Sequence, residues 1–195
     1  MKKLNYFALL WIALFAGSLA WCSNDVDVNN PDASDIIIED SLIDNDPVVE
    51  YNDNLVDFAY SYIASESNIW DRFDSEDSSL ESIQSAIDDT ISECTSAIEN
   101  ISALWDWEWD SSLKDAAILT LEKDIAYFSK LSELLPYTEK EDLTDEENDA
   151  YERIFNEIEA LDAELLEANE NLAAVQEVFA ENHWFELDDG DSLED

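Results

Sequence analysis

Two apolar stripes with helical spacing occupy the middle of the chain. The members of each stripe follow one another at steps of three and four residues, the spacing that places side chains on one face of an α-helix. The first stripe comprises Leu80, Ile83, Ile87, Ile91, Cys94, Ile98, Ile101 and Trp105, and the second comprises Leu113, Ala117, Leu121, Ile125, Phe128, Leu131 and Leu135. Acidic residues lie between the apolar ones, so each helix is predicted to bury one face and expose the other.

Polar residues mark where these two helices begin. Ser78 followed by Glu81 is the pattern of a capping box, in which each side chain bonds a backbone N–H that the first turn leaves free. Asp110 is the predicted N-cap of the second helix, which is predicted to end before Pro136. The connector, residues 104–110, is short, so the two helices are expected to run antiparallel.

A further helix is predicted on each side of this pair. Asp46 followed by Pro47 is typical of a helix start, and Thr144 with Glu147 forms a second capping box. The first of these helices carries Leu55, Phe58, Ala59, Tyr62, Ile63, Ile69, Trp70 and Phe73, and the last carries Tyr151, Ile154, Phe155, Ile158, Leu161, Leu165, Ala168, Leu172, Val175 and Phe179. Four stripes with short polar connections predict an all-α, up-down-up-down antiparallel four-helix bundle over residues 47–185.

Glycine content supports the all-helical prediction. The 195 residues include only Gly17 and Gly190. Tight hairpins, phosphate-binding loops and dinucleotide folds need glycine at fixed positions, so these classes are disfavoured. The acidic residues 186–195 are expected to form a disordered tail.

The net charge limits the partners. Asp and Glu number 50 against 8 Lys and Arg, which gives a formal charge of −42. Nucleic acid and anionic lipid surfaces bind through Lys and Arg, so neither is expected as a partner. The acidic faces could hold diffuse cations, although solubility or adaptation to salt explains them more simply.

The N-terminus has the three regions of a secretory signal peptide, assigned to residues 1–21. Signal peptidase cleavage before Trp21, lipidation of Cys22 and an uncleaved anchor all remain open. Trp21 is unusual before a lipidated cysteine, where a small residue is normal. Each outcome places the remaining chain outside the cytoplasm, with the acidic residues 22–46 as a disordered linker. Contact with a membrane is then expected only through the lipid or the anchor.

The chain contains two cysteines, Cys22 and Cys94. They could form a disulfide if Cys22 stays unmodified in an oxidising compartment. Because Cys94 lies on an apolar stripe, it is better interpreted as a small buried hydrophobic residue.

Four sequence segments stand out at the starts and the end of the predicted helices, namely Tyr51-Asn52-Asp53-Asn54-Leu55-Val56, Asp110-Ser111-Ser112-Leu113-Lys114-Asp115-Ala116-Ala117, Leu143-Thr144-Asp145-Glu146-Glu147 and Phe179-Ala180-Glu181-Asn182-His183-Trp184-Phe185. Together they resemble an uncharacterised family of bacterial surface proteins. The resemblance implies a lipoprotein signal followed by one helical domain. It implies no activity and no functional residue.

The connector is the best candidate for an interaction surface. It alternates aromatic and acidic residues, namely Trp105, Asp106, Trp107, Glu108, Trp109 and Asp110. Such a surface could stack on sugars or on cationic side chains of a partner. Alternatively, and as the favoured interpretation, the tryptophans simply cover the open end of the bundle.

The sequence predicts no catalytic, metal-binding or cofactor-binding residue. His183 is the one histidine, and it follows a helical stripe with no nucleophile beside it in sequence. We therefore expect a non-enzymatic, surface-tethered helical module that serves in interaction or envelope structure. An acidic binder of divalent cations or of a cationic ligand is the alternative, and an unidentified protein is the expected partner.

Overall fold

The computed structural model describes residues 47–183 apart from 76–77, 109 and 141. The predicted signal peptide, the linker and the acidic tail lie outside the described residues, as do Cys22 and Trp109. The described part forms no β-strand and contains five helices. They are α1 (Pro47–Tyr60), α2 (Ile63–Asp74), α3 (Leu80–Ala103), α4 (Ser112–Thr138) and α5 (Asp145–His183).

The helices pack as the antiparallel bundle that the pattern predicts. Along α4 and α5, Lys123 bonds Glu164 at 2.6 Å and Lys130 bonds Glu157 at 3.0 Å. A step of seven residues forward on α4 therefore corresponds to seven residues backward on α5, which fixes their opposite directions. None of the described helices has a segment long and apolar enough to cross a membrane.

The helices next to α4 and α5 also run antiparallel to their neighbours. Gln84 of α3 accepts a hydrogen bond from Ser132 of α4 at 2.9 Å, which pairs the start of α3 with the end of α4. At the other edge, the amide of Gln176 in α5 donates to Asn52 in α1 at 3.2 Å in a buried position. Helix α1 also packs on α3 and α4, so it closes the bundle.

The first helix of the bundle is broken, whereas the sequence predicted one continuous helix. Helix α1 ends where the N–H and the hydroxyl of Ser61 both bond the carbonyl of Phe58, at 3.3 and 2.9 Å. The carbonyl of Tyr62 then accepts the N–H groups of Ser65 and Glu66 and begins α2. The Ser61 N–H thus bonds the carbonyl three residues before it rather than four, so the α-helical hydrogen-bond pattern stops there.

The core follows the predicted stripes closely, apart from Ile63, which is 43% exposed. Its fully or nearly fully buried side chains include Leu55, Ile69, Ile87, Cys94, Ile101, Leu113, Leu121, Phe128, Leu131, Leu134, Ile158, Leu172 and Phe179. Trp105 is the exception in the first stripe, since α3 ends at Ala103 and the Trp105 side chain is 61% exposed. Its spacing matched the stripe, but the backbone is no longer helical at that point.

Three of the predicted helix boundaries are shifted, namely those at Ser78, Asp110 and Pro136, and the one at Thr144 is confirmed. The N-cap of α3 is Ser79 rather than Ser78, and its hydroxyl accepts the N–H of Ser82 at 3.2 Å. Helix α4 continues through Pro136 to its last residue, Thr138, although Pro136 cannot donate a backbone hydrogen bond to the preceding turn. The Thr144–Glu147 capping box forms as predicted, with the N–H of Thr144 donating to Glu147 at 3.0 Å and the N–H of Glu147 donating to Thr144 at 3.3 Å.

Candidate interaction surface

The connector folds into a tight turn between α3 and α4. The N–H of Asp110 donates to the carbonyl of Trp107 at 2.7 Å, and the two residues form an isolated antiparallel bridge. Glu108, inside this turn, has a φ of 48°. This left-handed conformation costs a residue with a Cβ atom about 1–2 kcal/mol. The turn directs the chain back toward α4 within a few residues.

Asp110 supports the start of α4, although it is not its N-cap as predicted. Ser111 occupies the N-cap position and makes no side-chain capping bond. Instead, a carboxylate oxygen of Asp110 accepts the N–H of Ser112 at 2.9 Å. Hydrogen bonds from Ser112 hold the pKa of Asp110 below its usual range, so this carboxylate is ionised at neutral pH.

Lys114 ties the connector to the first turn of α4. Its ammonium group donates to the carbonyl of Leu104 at 2.6 Å and to the Asp106 carboxylate at 3.0 Å. The Lys114 side chain is only 11% exposed. Sequence reasoning missed this residue. The ion pair could have been predicted, because Lys114 is a lysine close to an acidic segment in a chain with few basic residues.

Trp107 covers the end of the bundle, in agreement with the favoured interpretation of the connector. Its ring centroid lies 5.7 Å from that of Tyr51 and 6.1 Å from that of His183. Phe179 joins the same cluster, 5.8 Å from Tyr51 and 4.6 Å from His183. These rings bring α1, α5 and the connector together. His183 therefore lies in an aromatic cluster at the C-terminal end of α5.

Trp105 occupies a different environment from Trp107. Its ring packs against Trp107 at 4.8 Å and against Tyr51 at 6.0 Å. Most of the indole nevertheless faces solvent, with 61% of the residue exposed. The two tryptophans of the predicted patch thus differ. Trp107 covers the end of the bundle, and Trp105 is mostly exposed.

Negative charge is concentrated around these rings. Burial and then the carboxylates of Asp106, Asp110 and Asp115 raise the pKa of Tyr51 to about 12. Three carboxylates from the connector and the first turn of α4 therefore disfavour ionisation of the same Tyr51 hydroxyl group. Glu108, in the same turn, is exposed. We call Trp105, Asp106, Glu108, Asp110 and Asp115 the connector surface.

A second group of polar side chains lies in the bundle core and was not predicted. Asp124 is 2% exposed, and the hydroxyl of Tyr62 donates a hydrogen bond to it. Burial is the first cause that raises the pKa of Asp124, to about 8, and the charge of Glu66 adds to it. Asp124 could have been found in the sequence, because it follows Leu121 and precedes Phe128 at helical steps on the buried stripe of α4.

Titratable groups from every neighbouring helix face this core region. Burial raises the pKa of each of them, namely Tyr62 and Glu66 on the α2 side, Cys94 on α3, Tyr127 on α4 and Asp162 on α5. Cys94 is fully buried, as its position on the stripe predicted. Within the described ranges, no group of three or more His, Cys, Asp or Glu side chains is placed to hold a metal ion.

The fold and the connector surface define an all-helical bundle with an aromatic, acidic end. No protein-family model matches the sequence, and no curated protein or solved structure is significantly similar to it. The resemblance to bacterial surface proteins therefore stays a prediction.

Proposed function

We propose that this chain is a non-enzymatic, extracytoplasmic helical module, tethered to the cell surface, that makes interactions through the connector surface. The N-terminal pattern and the acidic residues 22–46 support the tether, since a signal peptide followed by a charged linker suits a domain held away from a membrane. No reaction is part of the proposal, because the sequence offers no recognisable pairing of a nucleophilic side chain with a general base.

The exposed indole of Trp105 carries the interaction part of this proposal. A large apolar side chain that is mostly exposed is informative when it belongs to a contiguous cluster. Trp105 meets this condition, since it packs on Trp107 and Tyr51 while the remainder of its ring stays accessible. Tryptophan is also enriched among the residues that dominate binding energy at protein interfaces.

Photo-cross-linking in intact cells tests this proposal. A photoreactive phenylalanine derivative is placed at position 105 of the full chain, and a second version carries it at position 166. Leu166 is a matched control, because it is 59% exposed and lies in the middle of α5. We expect a discrete cross-linked product from position 105 that is absent from position 166. Equal products from both positions, or none from 105, would contradict the proposal.

A further inference from the structure

We propose that the connector surface binds a basic segment of another protein, with an Arg or Lys side chain stacked on the exposed face of Trp105. This inference rests on the proposed function and specifies the chemistry of its partner. A guanidinium or ammonium group over an indole face is attracted by the negative face of the ring. Arginine also stacks in a planar fashion and can bond carboxylates at the same time.

The geometry supplies both halves of such a site. Trp105 offers a mostly exposed ring that packs against the ring of Trp107, with the two ring centroids 4.8 Å apart. Carboxylates of Asp106, Asp110 and Asp115 act on Tyr51, whose ring packs against Trp105. A cation above Trp105 therefore meets an aromatic face in a turn that also carries the exposed residues Asp106 and Glu108.

Lys114 shows that the connector already holds one ammonium group. It bonds Asp106 and the carbonyl of Leu104 on the inner side of the turn. This internal pair balances one carboxylate of the connector surface, while Glu108 is exposed and Asp110 is partly exposed. The remaining negative charge complements a basic peptide.

Titration of the full chain with a hexa-arginine peptide in 0.15 M salt tests the inference. Salt at this concentration screens the general attraction to a chain of charge −42. Trp105→Ala is compared with Leu166→Ala, which removes a similarly exposed apolar side chain about 20 Å before Phe179 along α5. We expect Trp105→Ala to weaken binding about two- to fivefold and Leu166→Ala to leave it unchanged.

A charge comparison accompanies the aromatic one. Glu108→Gln removes an exposed carboxylate of the connector surface, and Glu122→Gln removes an exposed carboxylate from α4. We expect the first variant to bind the peptide more weakly than the second. In the unmodified protein, the indole N–H resonance of Trp105 is expected to shift during the titration, a readout that does not depend on the folding of any variant.

Several results would overturn the inference. Equal affinities of Trp105→Ala and Leu166→Ala, or an unmoved Trp105 resonance, would mean that the peptide responds only to overall charge. A shift of the Trp105 resonance by a neutral oligosaccharide such as cellohexaose, without one by the peptide, would assign the surface to sugars. The proposed function is contradicted by a different result, namely no specific cross-link from position 105 in cells. The cross-linking experiment and the peptide titration therefore test the two proposals independently.

Discussion

The hydroxyl group of Tyr62 donates a hydrogen bond to the carboxyl group of Asp124 in the middle of the bundle. Tyr62 lies in the break between α1 and α2, so this bond attaches the broken helix to α4. The second carboxyl oxygen of Asp124 is buried and has no hydrogen-bond partner among the described residues. A charged carboxylate is unfavourable there, which is why the pKa of Asp124 is raised to about 8.

Stability is expected to fall as the pH rises from about 4 to about 8. Over this range, folded Asp124 retains a proton that the unfolded chain, with a pKa near 3.8, has released. The free energy of unfolding therefore decreases with pH, by up to about 1.4 kcal/mol per pH unit for one such group. Urea unfolding of the full chain at pH 5, 6, 7 and 8 measures this slope.

Asp124→Asn identifies the source of that slope. The amide stays neutral at every pH, so we expect the variant to gain stability relative to the unmodified protein as the pH rises. Burial also raises the pKa values of Glu66 and Asp162, so the free energy of unfolding of the variant still decreases with pH, with a smaller slope. Asp88→Asn, on an exposed residue, is the control and should follow the unmodified protein. Parallel curves for Asp124→Asn and the unmodified protein would refute this assignment.

Salt is expected to stabilise the fold. The formal charge of −42 makes the compact state repel itself, and dissolved ions screen this repulsion. The exposed ion pairs in α4 and α5 oppose the trend only weakly, since such pairs contribute little. Melting temperatures between 10 mM and 1 M sodium chloride should therefore rise. A melting temperature that stays constant, or that falls, would be inconsistent with charge repulsion as a main determinant of stability.

The N-cap of α3 gives a test at the resolution of one residue. Ser79→Ala removes the hydroxyl that accepts the N–H of Ser82, so we expect a loss of about 1 kcal/mol in the free energy of unfolding. Ser78→Ala changes the neighbouring serine, which is not the N-cap, and should cost less than about 0.5 kcal/mol. Chemical unfolding of both variants measures the difference. A larger loss for Ser78→Ala would place the cap at the residue that the sequence pattern predicted.

A pair of leucines on α4 tests which face of this helix is buried. Leu121 is fully buried and Leu119 is 40% exposed. Leu121→Ala creates a cavity and is expected to cost about 2–5 kcal/mol. Leu119→Ala removes contacts at the surface and should cost much less. Similar losses for the two variants would mean that α4 is rotated from the orientation described.

The sequence predicted the features that depend on local pattern. The buried position of Cys94 follows from its place on a helical stripe, and the Thr144–Glu147 box follows from residue types at a fixed spacing. The break at Ser61 was missed because a serine inside an apolar stripe fits both a continuous and an interrupted helix. Asp124 was missed because polarity alone suggested exposure, whereas the hydroxyl group of Tyr62, distant in the chain, bonds one of its carboxyl oxygens in the core.

The connector illustrates a further limit of sequence reasoning. Trp105 and Trp107 belong to one alternating pattern, yet one ring is mostly exposed and the other covers the bundle end. The difference arises from the turn at Glu108 and from Tyr51 and His183, which belong to distant parts of the chain. Contacts of this kind depend on the tertiary arrangement, which a local pattern does not specify.

The intact mass of the protein isolated from membrane and soluble fractions of its own cells, before and after reduction, tests the proposed tethered module most directly. We expect a processed chain outside the cytoplasm, or an uncleaved chain held in the membrane. A chain that begins at Cys22 and carries lipid would make it membrane-anchored, whereas one that begins at Trp21 and gains two hydrogens on reduction would be secreted with Cys22 bonded to Cys94. An unprocessed chain in the cytosol would contradict the proposal.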